Sequence, residues 1–135
     1  MTLTSLFNIA ECADIVVDAF ALSSVESLSM MDDKECFVAI NPFKIQSDAD
    51  EKVKLAHELG HCLNGAFYNI YAKLDVRTKH EHTADIWAIK KLIPEDELKE
   101  ASKWCRNRWE LAQHFEVTED FMQKALDYYQ NEGYI

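Results

Sequence analysis

The chain has 135 residues, with 14 Lys and Arg against 24 Asp and Glu, a net charge of −10, and only 3 Gly and 2 Pro. That length suits one domain over residues 1–135 with its own core. The composition excludes long flexible linkers, and no apolar run approaches the ~18 residues of a membrane span. An acidic body also disfavours direct nucleic-acid binding, which needs clustered Lys and Arg, and suits a basic protein partner. The charge is uneven: residues 1–33 hold six acids and no Lys or Arg, whereas residues 73–109 hold nine basic residues against seven acids.

In chain order, "SLFNIAEC" has helical spacing and "DIVVDAF" is a short β-branched run. "SLSMM", the turn "DDKE" and "CFVAINP" read as a hairpin that Pro42 ends, giving a small three-stranded sheet. "QSDADEKVKLAHELGHCLNG" predicts a helix over roughly 48–64, with Ser47 and Asp48 as capping candidates. Val53, Ala56, Leu59 and Leu63 form its apolar stripe, and Asn64 and Gly65 stop it. "AFYNIYAKLDVRTK" is a connector without a clear pattern. A second helix is expected over about 81–93, ended by Pro94, which opens the next with acids in its first turn. Two more follow in "NRWELAQHF" and "TEDFMQKALDYYQNEG", joined by a tight "EVT" turn. The fold class is therefore α+β with a mostly helical remainder.

Cys12, Cys36, Cys62 and Cys105 form no CxxC pair and read as reduced, mostly buried thiols of a cytosolic protein. "MTLTSLFNIAECADIVV" lacks a basic n-region, so a cytoplasmic location is expected. Trp87, Trp104 and Trp109 are expected in the core, and His114 at packing or surface.

The chemistry concentrates at His57-Glu58-Leu59-Gly60-His61. Histidines at i and i+4 project from one helix face, so both imidazoles can reach one zinc ion. Glu58 lies about 100° round the helix, placed to act as a general base rather than a ligand. This is the HExxH signature of metalloproteases. Gly60 leaves room for a substrate or a neighbouring helix, although Gly costs about 1 kcal/mol against Ala inside a helix. A catalytic zinc needs a third protein ligand, and "KHEHTADIWAIKKLIP" offers His80, Glu81, His82 and Asp85. Glu81 and Asp85 are again i, i+4: one can bind the metal while the other accepts a hydrogen bond from a ligand histidine, with Glu81 the preferred ligand. His57, His61 and Glu81 holding one Zn2+ per chain, with ExxxD on the following helix, is a gluzincin layout. His80, His82, Tyr68, Tyr71 and Arg77 are candidates for the site rim or for stabilising an oxyanion. Cys62 reads as a small buried residue turned from the histidine face.

These residues resemble the ImmA/IrrE metallopeptidases. That family carries a glutamate and then an "AN-x-FA…LLMP"-like run; here stand Glu81, then Ala84-Asp85-Ile86-Trp87-Ala88, then Leu92-Ile93-Pro94. "CFVAINP" is similar to its strand before the active helix, and "ELAQHFEVTEDFMQKAL" to its closing helix pair. The departures are Asp85 where Asn is common, Trp87 for Phe and Ile93 for Met. The resemblance implies a zinc-dependent endopeptidase that cleaves a helix-turn-helix repressor on a phage or mobile element. The rival is a non-catalytic regulator of the same fold that works by binding a transcription factor. For strand addition of a substrate, Cys36–Asn41 is the expected edge. The closing pair itself is a poor DNA reader, since its second helix sets Glu119, Asp120 and Asp127 against Lys124.

Overall fold

The computed structural model describes residues 1–22, 24–65 and 74–134. Among them run α1 (Leu3–Cys12), β1 (Val16–Ala19), β2 (Ser27–Asp32), β3 (Glu35–Ile40), α2 (Asp48–Asn64), α3 (Leu74–Leu92), α4 (Glu95–Ala101), α5 (Arg108–Phe115) and α6 (Glu119–Asn131). The class is α+β with a three-stranded sheet, as expected.

Local chemistry explains most boundaries. Ser47, Asn107 and Thr118 each cap a helix by accepting a backbone N–H three residues on, which satisfies one of the orphan donors of a first turn. Gly65 closes α2 in the left-handed conformation. Asp33 and Lys34 both take positive φ, 47° and 69°, the twist that a two-residue hairpin turn needs. Asn41, 2% exposed, donates to the carbonyls of Leu22 and Val25 and accepts from the Phe43 N–H. It thereby ties down the loop before β2.

The strand order is β1-β3-β2, with β1 parallel and β2 antiparallel to β3. β3 is thus the central strand, and β2 is an edge. The expectation that Cys36–Asn41 is the substrate edge is wrong: β1 crosses to pair with the far side of β3, a non-local pairing that no hairpin pattern reveals.

Helix α2 lies under the sheet and joins Val38 and Ile40 of β3, Ala88, Ile89 and Leu92 of α3, and Met122 of α6 in one core through Leu55, Ala56 and Leu59. Leu63, expected in that stripe, is exposed, and Leu55 takes its place. A buried cation adds a tie: Lys52 Nζ donates to the Phe115 carbonyl at 2.7 Å. Burial pushes its pKa down, partly opposed by Glu116.

Three further expectations are corrected. Helix α3 runs from Leu74, well before 81, a start that the connector, with no capping signal, does not mark in the sequence. Cys36 and Cys62 form a disulfide, while Cys12 is exposed and Cys105 half-buried. Cys36 sits on the sheet face above α2 with a Cα–Cα distance of 5.8 Å, within bridging range, although the two are 26 residues apart. Trp104 and Trp109 are 59% and 56% exposed, flanking the Cys105 loop beside His114; Trp87 alone packs on the core.

Gly60 decides how close α3 comes to α2. A Cβ there would lie 2.6 Å from the Ala84 carbonyl oxygen and 3.0 Å from its Cα, which is backbone that cannot swing aside. Gly60→Ala must push the helices apart. Its gain in helix propensity, about 1 kcal/mol, is expected to be outweighed by overpacking of about 1–3 kcal/mol. Thermal melts should show a lower Tm, and zinc titration a weaker site.

Candidate metal centre

Helices α2 and α3 present their i, i+4 pairs to each other. His57 and His61 point from α2, and Glu81 and Asp85 from α3, across the approach that Gly60 permits. His57 Nε2 lies 2.7 Å from Glu81 Oε2 and 3.2 Å from His61 Nε2, and His61 Nε2 lies 3.3 Å from Glu81 Oε1. One donor atom from each of His57, His61 and Glu81 falls within 4.8 Å of the others. Asp85 Oδ1 meets His57 Nδ1 at 2.7 Å, and Lys124 Nζ of α6 reaches Asp85 Oδ2 at 3.2 Å.

The donor set fits zinc. Two nitrogens on a tetrahedral ion with bonds of 2.0–2.1 Å stand about 3.3 Å apart, close to the 3.2 Å between the two Nε2 atoms. Two ring nitrogens aimed at each other and at a carboxylate need a cation or a proton among them. With Nδ1–H donated to Asp85, His57 keeps Nε2 for that cation, the tautomer that a carboxylate partner selects.

Glu58 points another way, towards the sheet. It is 6% exposed. Ser27 Oγ of β2 donates to its Oε2 at 2.7 Å, and Ser29 Oγ to its Oε1 at 2.9 Å. Between the sheet, α2, α3 and the start of α6 opens a cleft of about 1120 Å³. Its lining includes His57, Glu58, His61, Glu81 and Asp85, together with Ser27, Leu28, Ser29 and Lys124. Lys54 also lines it, paired with Glu26 and Asp50.

Of the rim candidates, Arg77, His80 and His82 are not among the cleft-lining residues, and Tyr68 and Tyr71 lie outside the described ones. Sequence reasoning missed Ser27, Ser29, Lys54 and Lys124. The two serines alternate with apolar residues in "SLSMM", and that alternation is the signal that puts them on one face.

Over residues 10–127 the sequence matches the family model of the IrrE N-terminal-like domain, among the M78 peptidases. The chain belongs to that family. No curated protein matches it significantly. Membership makes this an M78-type metallopeptidase fold, in which the His57, His61 and Glu81 group can hold a metal ion. No helix among the described residues of this M78 domain is long and apolar enough to cross a membrane.

In the metal-free M78 domain, burial opposes charging His57, but its bonds to Asp85 and Glu81 outweigh this and raise its pKa from 6.5 to about 9. Burial likewise opposes ionising Asp85, and His57 and Lys124 together bring it below the ordinary carboxylate range. The raised His57 pKa stabilises the fold fully below pH 6.5, and that contribution is lost as pH rises through about 9. Its upper bound is on the order of 3 kcal/mol. Denaturant melts of chelator-treated protein from pH 6 to 10 should therefore show falling stability. Saturating zinc should flatten the curve, because the ion replaces that proton. A metal-free curve that stays level would contradict the geometry.

Proposed function

We propose that the protein is a zinc-dependent endopeptidase, with zinc held by His57, His61 and Glu81. The observation that carries this reading is the position of Glu58, beside a three-donor set yet bonded to the sheet rather than to the set. A site of purely structural zinc has four protein ligands and no use for a base. When bound, zinc supplies Lewis acidity, which makes water acidic near neutral pH and polarises a carbonyl.

The chain's own groups do the rest. A Glu58 carboxylate oxygen takes the proton of the attacking water and delivers it to the leaving amide nitrogen, a shuttle typically worth 10²–10⁴-fold. Asp85 keeps His57 turned so that Nε2 faces the ion. β2, as the edge strand that lines the cleft, accepts an extended substrate by strand addition. Seven acids line the cleft, namely Glu26, Asp50, Glu58, Glu81, Asp85, Glu119 and Asp120, against Lys54 and Lys124. That field favours a basic segment. It supports, with the family, a basic DNA-binding repressor as the substrate.

Glu58→Gln keeps the side chain's size but removes the base. Co-expressed with that repressor, the wild-type protein should cut it and the variant should leave it full-length, with a rate loss of at least about 10²-fold. Zinc content should be unchanged. If both proteins inactivate an uncut repressor equally, the protein works by binding, and the peptidase reading fails.

A further inference from the structure

We infer that Ser27 and Ser29 are positioning residues for Glu58, a clamp through which the edge strand β2 sets the aim of the general base. The inference rests on the peptidase reading and goes a step past it.

The geometry is specific. Residues i and i+2 of a strand share a face, and here that face looks onto α2. Each serine takes a different carboxylate oxygen, Ser27 Oγ to Oε2 and Ser29 Oγ to Oε1. Two donors on two oxygens fix both the position and the rotation of the carboxylate plane, which a single bond leaves free. A carboxylate buried at 6% exposure must have its lone pairs satisfied, and these hydroxyls supply that in place of a cation. An ionised carboxylate accepts at about four lone-pair sites. The serines use two, which leaves lone pairs on a carboxylate that lines the cleft to take the water proton. The hydroxyls are also anchored: β2 is paired along its length with β3, Ser27 against Ile40 and Ser29 against Val38, so the clamp does not drift with a loop.

A structural explanation would be that the serines only satisfy a buried acid. The two differ in what the variants read. The test uses the full-length zinc-loaded protein and a peptide library made from a bacterial lysate by a protease that cuts after acidic residues, which keeps basic segments intact, with kinetics on the peptide cut fastest. The combined variant Ser27→Ala, Ser29→Ala should lower kcat by about 10-fold or more, the scale of a mis-set proton transfer. KM should stay within about 2-fold, and zinc affinity, measured by chelator competition, should not change. Ser27→Thr with Ser29→Thr, which keeps both hydroxyls in a β-favouring residue, should restore most of kcat. In a Glu58→Gln background the alanine pair should cost almost nothing further, since residues that act as a unit are not additive.

A second measurement is independent of cleavage. The infrared carboxylate band that Glu58→Gln removes should shift in the alanine variant and return in the threonine variant. If the wild type cuts no peptide, the peptidase reading is in difficulty, and this band still decides the clamp. A band that does not move, a kcat equal to wild type, or a loss that persists unchanged in the Glu58→Gln background would each overturn the inference.

Discussion

The contact between Gly60 and the backbone of Ala84 is the constraint on which the site depends. Aspartate and glutamate side chains are short. For Glu81 and Asp85 to reach imidazoles on another helix at 2.7 Å, the two helix axes must run unusually close, and only a missing Cβ allows that. Once α2 and α3 are this near, matched i, i+4 pairs put two rings opposite two carboxylates. The geometry of the donors then follows from helix periodicity.

Helix α2 is held on every side, by a different interaction each time. α3 meets its histidine face, and β2 meets Glu58 through hydroxyls. The Cys36–Cys62 bridge joins it to the central strand one residue past His61. Lys52 grips the last carbonyl of α5, an acceptor that the helix end would otherwise leave open. A cleft between elements fixed in this way is preformed, and substrate binding need not pay to assemble it.

What could be read from residues alone follows a physical division. The hairpin and the bounds of α2 were legible because turn and cap chemistry is local: Asp33 and Lys34 bend the chain, Ser47 starts the helix and Gly65 stops it. HELGH and the downstream Glu81 and Asp85 were legible because period and spacing put them on facing sides. The central position of β3 and the disulfide were not, since each depends on a partner remote in sequence, and the early start of α3 was not, since no capping residue marks it. The tryptophans misled because hydrophobicity speaks for burial only on average. "SLSMM" read only as a hairpin strand, and Ser27 and Ser29 drew no role, since the acid they contact is 31 and 29 residues away.

The glycine in the motif has a bearing on how chance matches are told from real ones. An HExxH string on an arbitrary helix has no reason to carry its least favourable interior residue short of proline. Here Gly60 is explained only by fully buried Ala84, in a downstream helix that also carries Glu81 and Asp85. The informative pattern is therefore a pair of helices: a glycine inside the first motif, set against the backbone of the second helix between its two acids. The atoms that a Cβ at 60 would meet are backbone, so no smaller side chain at 84 can relieve it, and a lineage that enlarges 60 loses its ligand geometry even with every ligand in place.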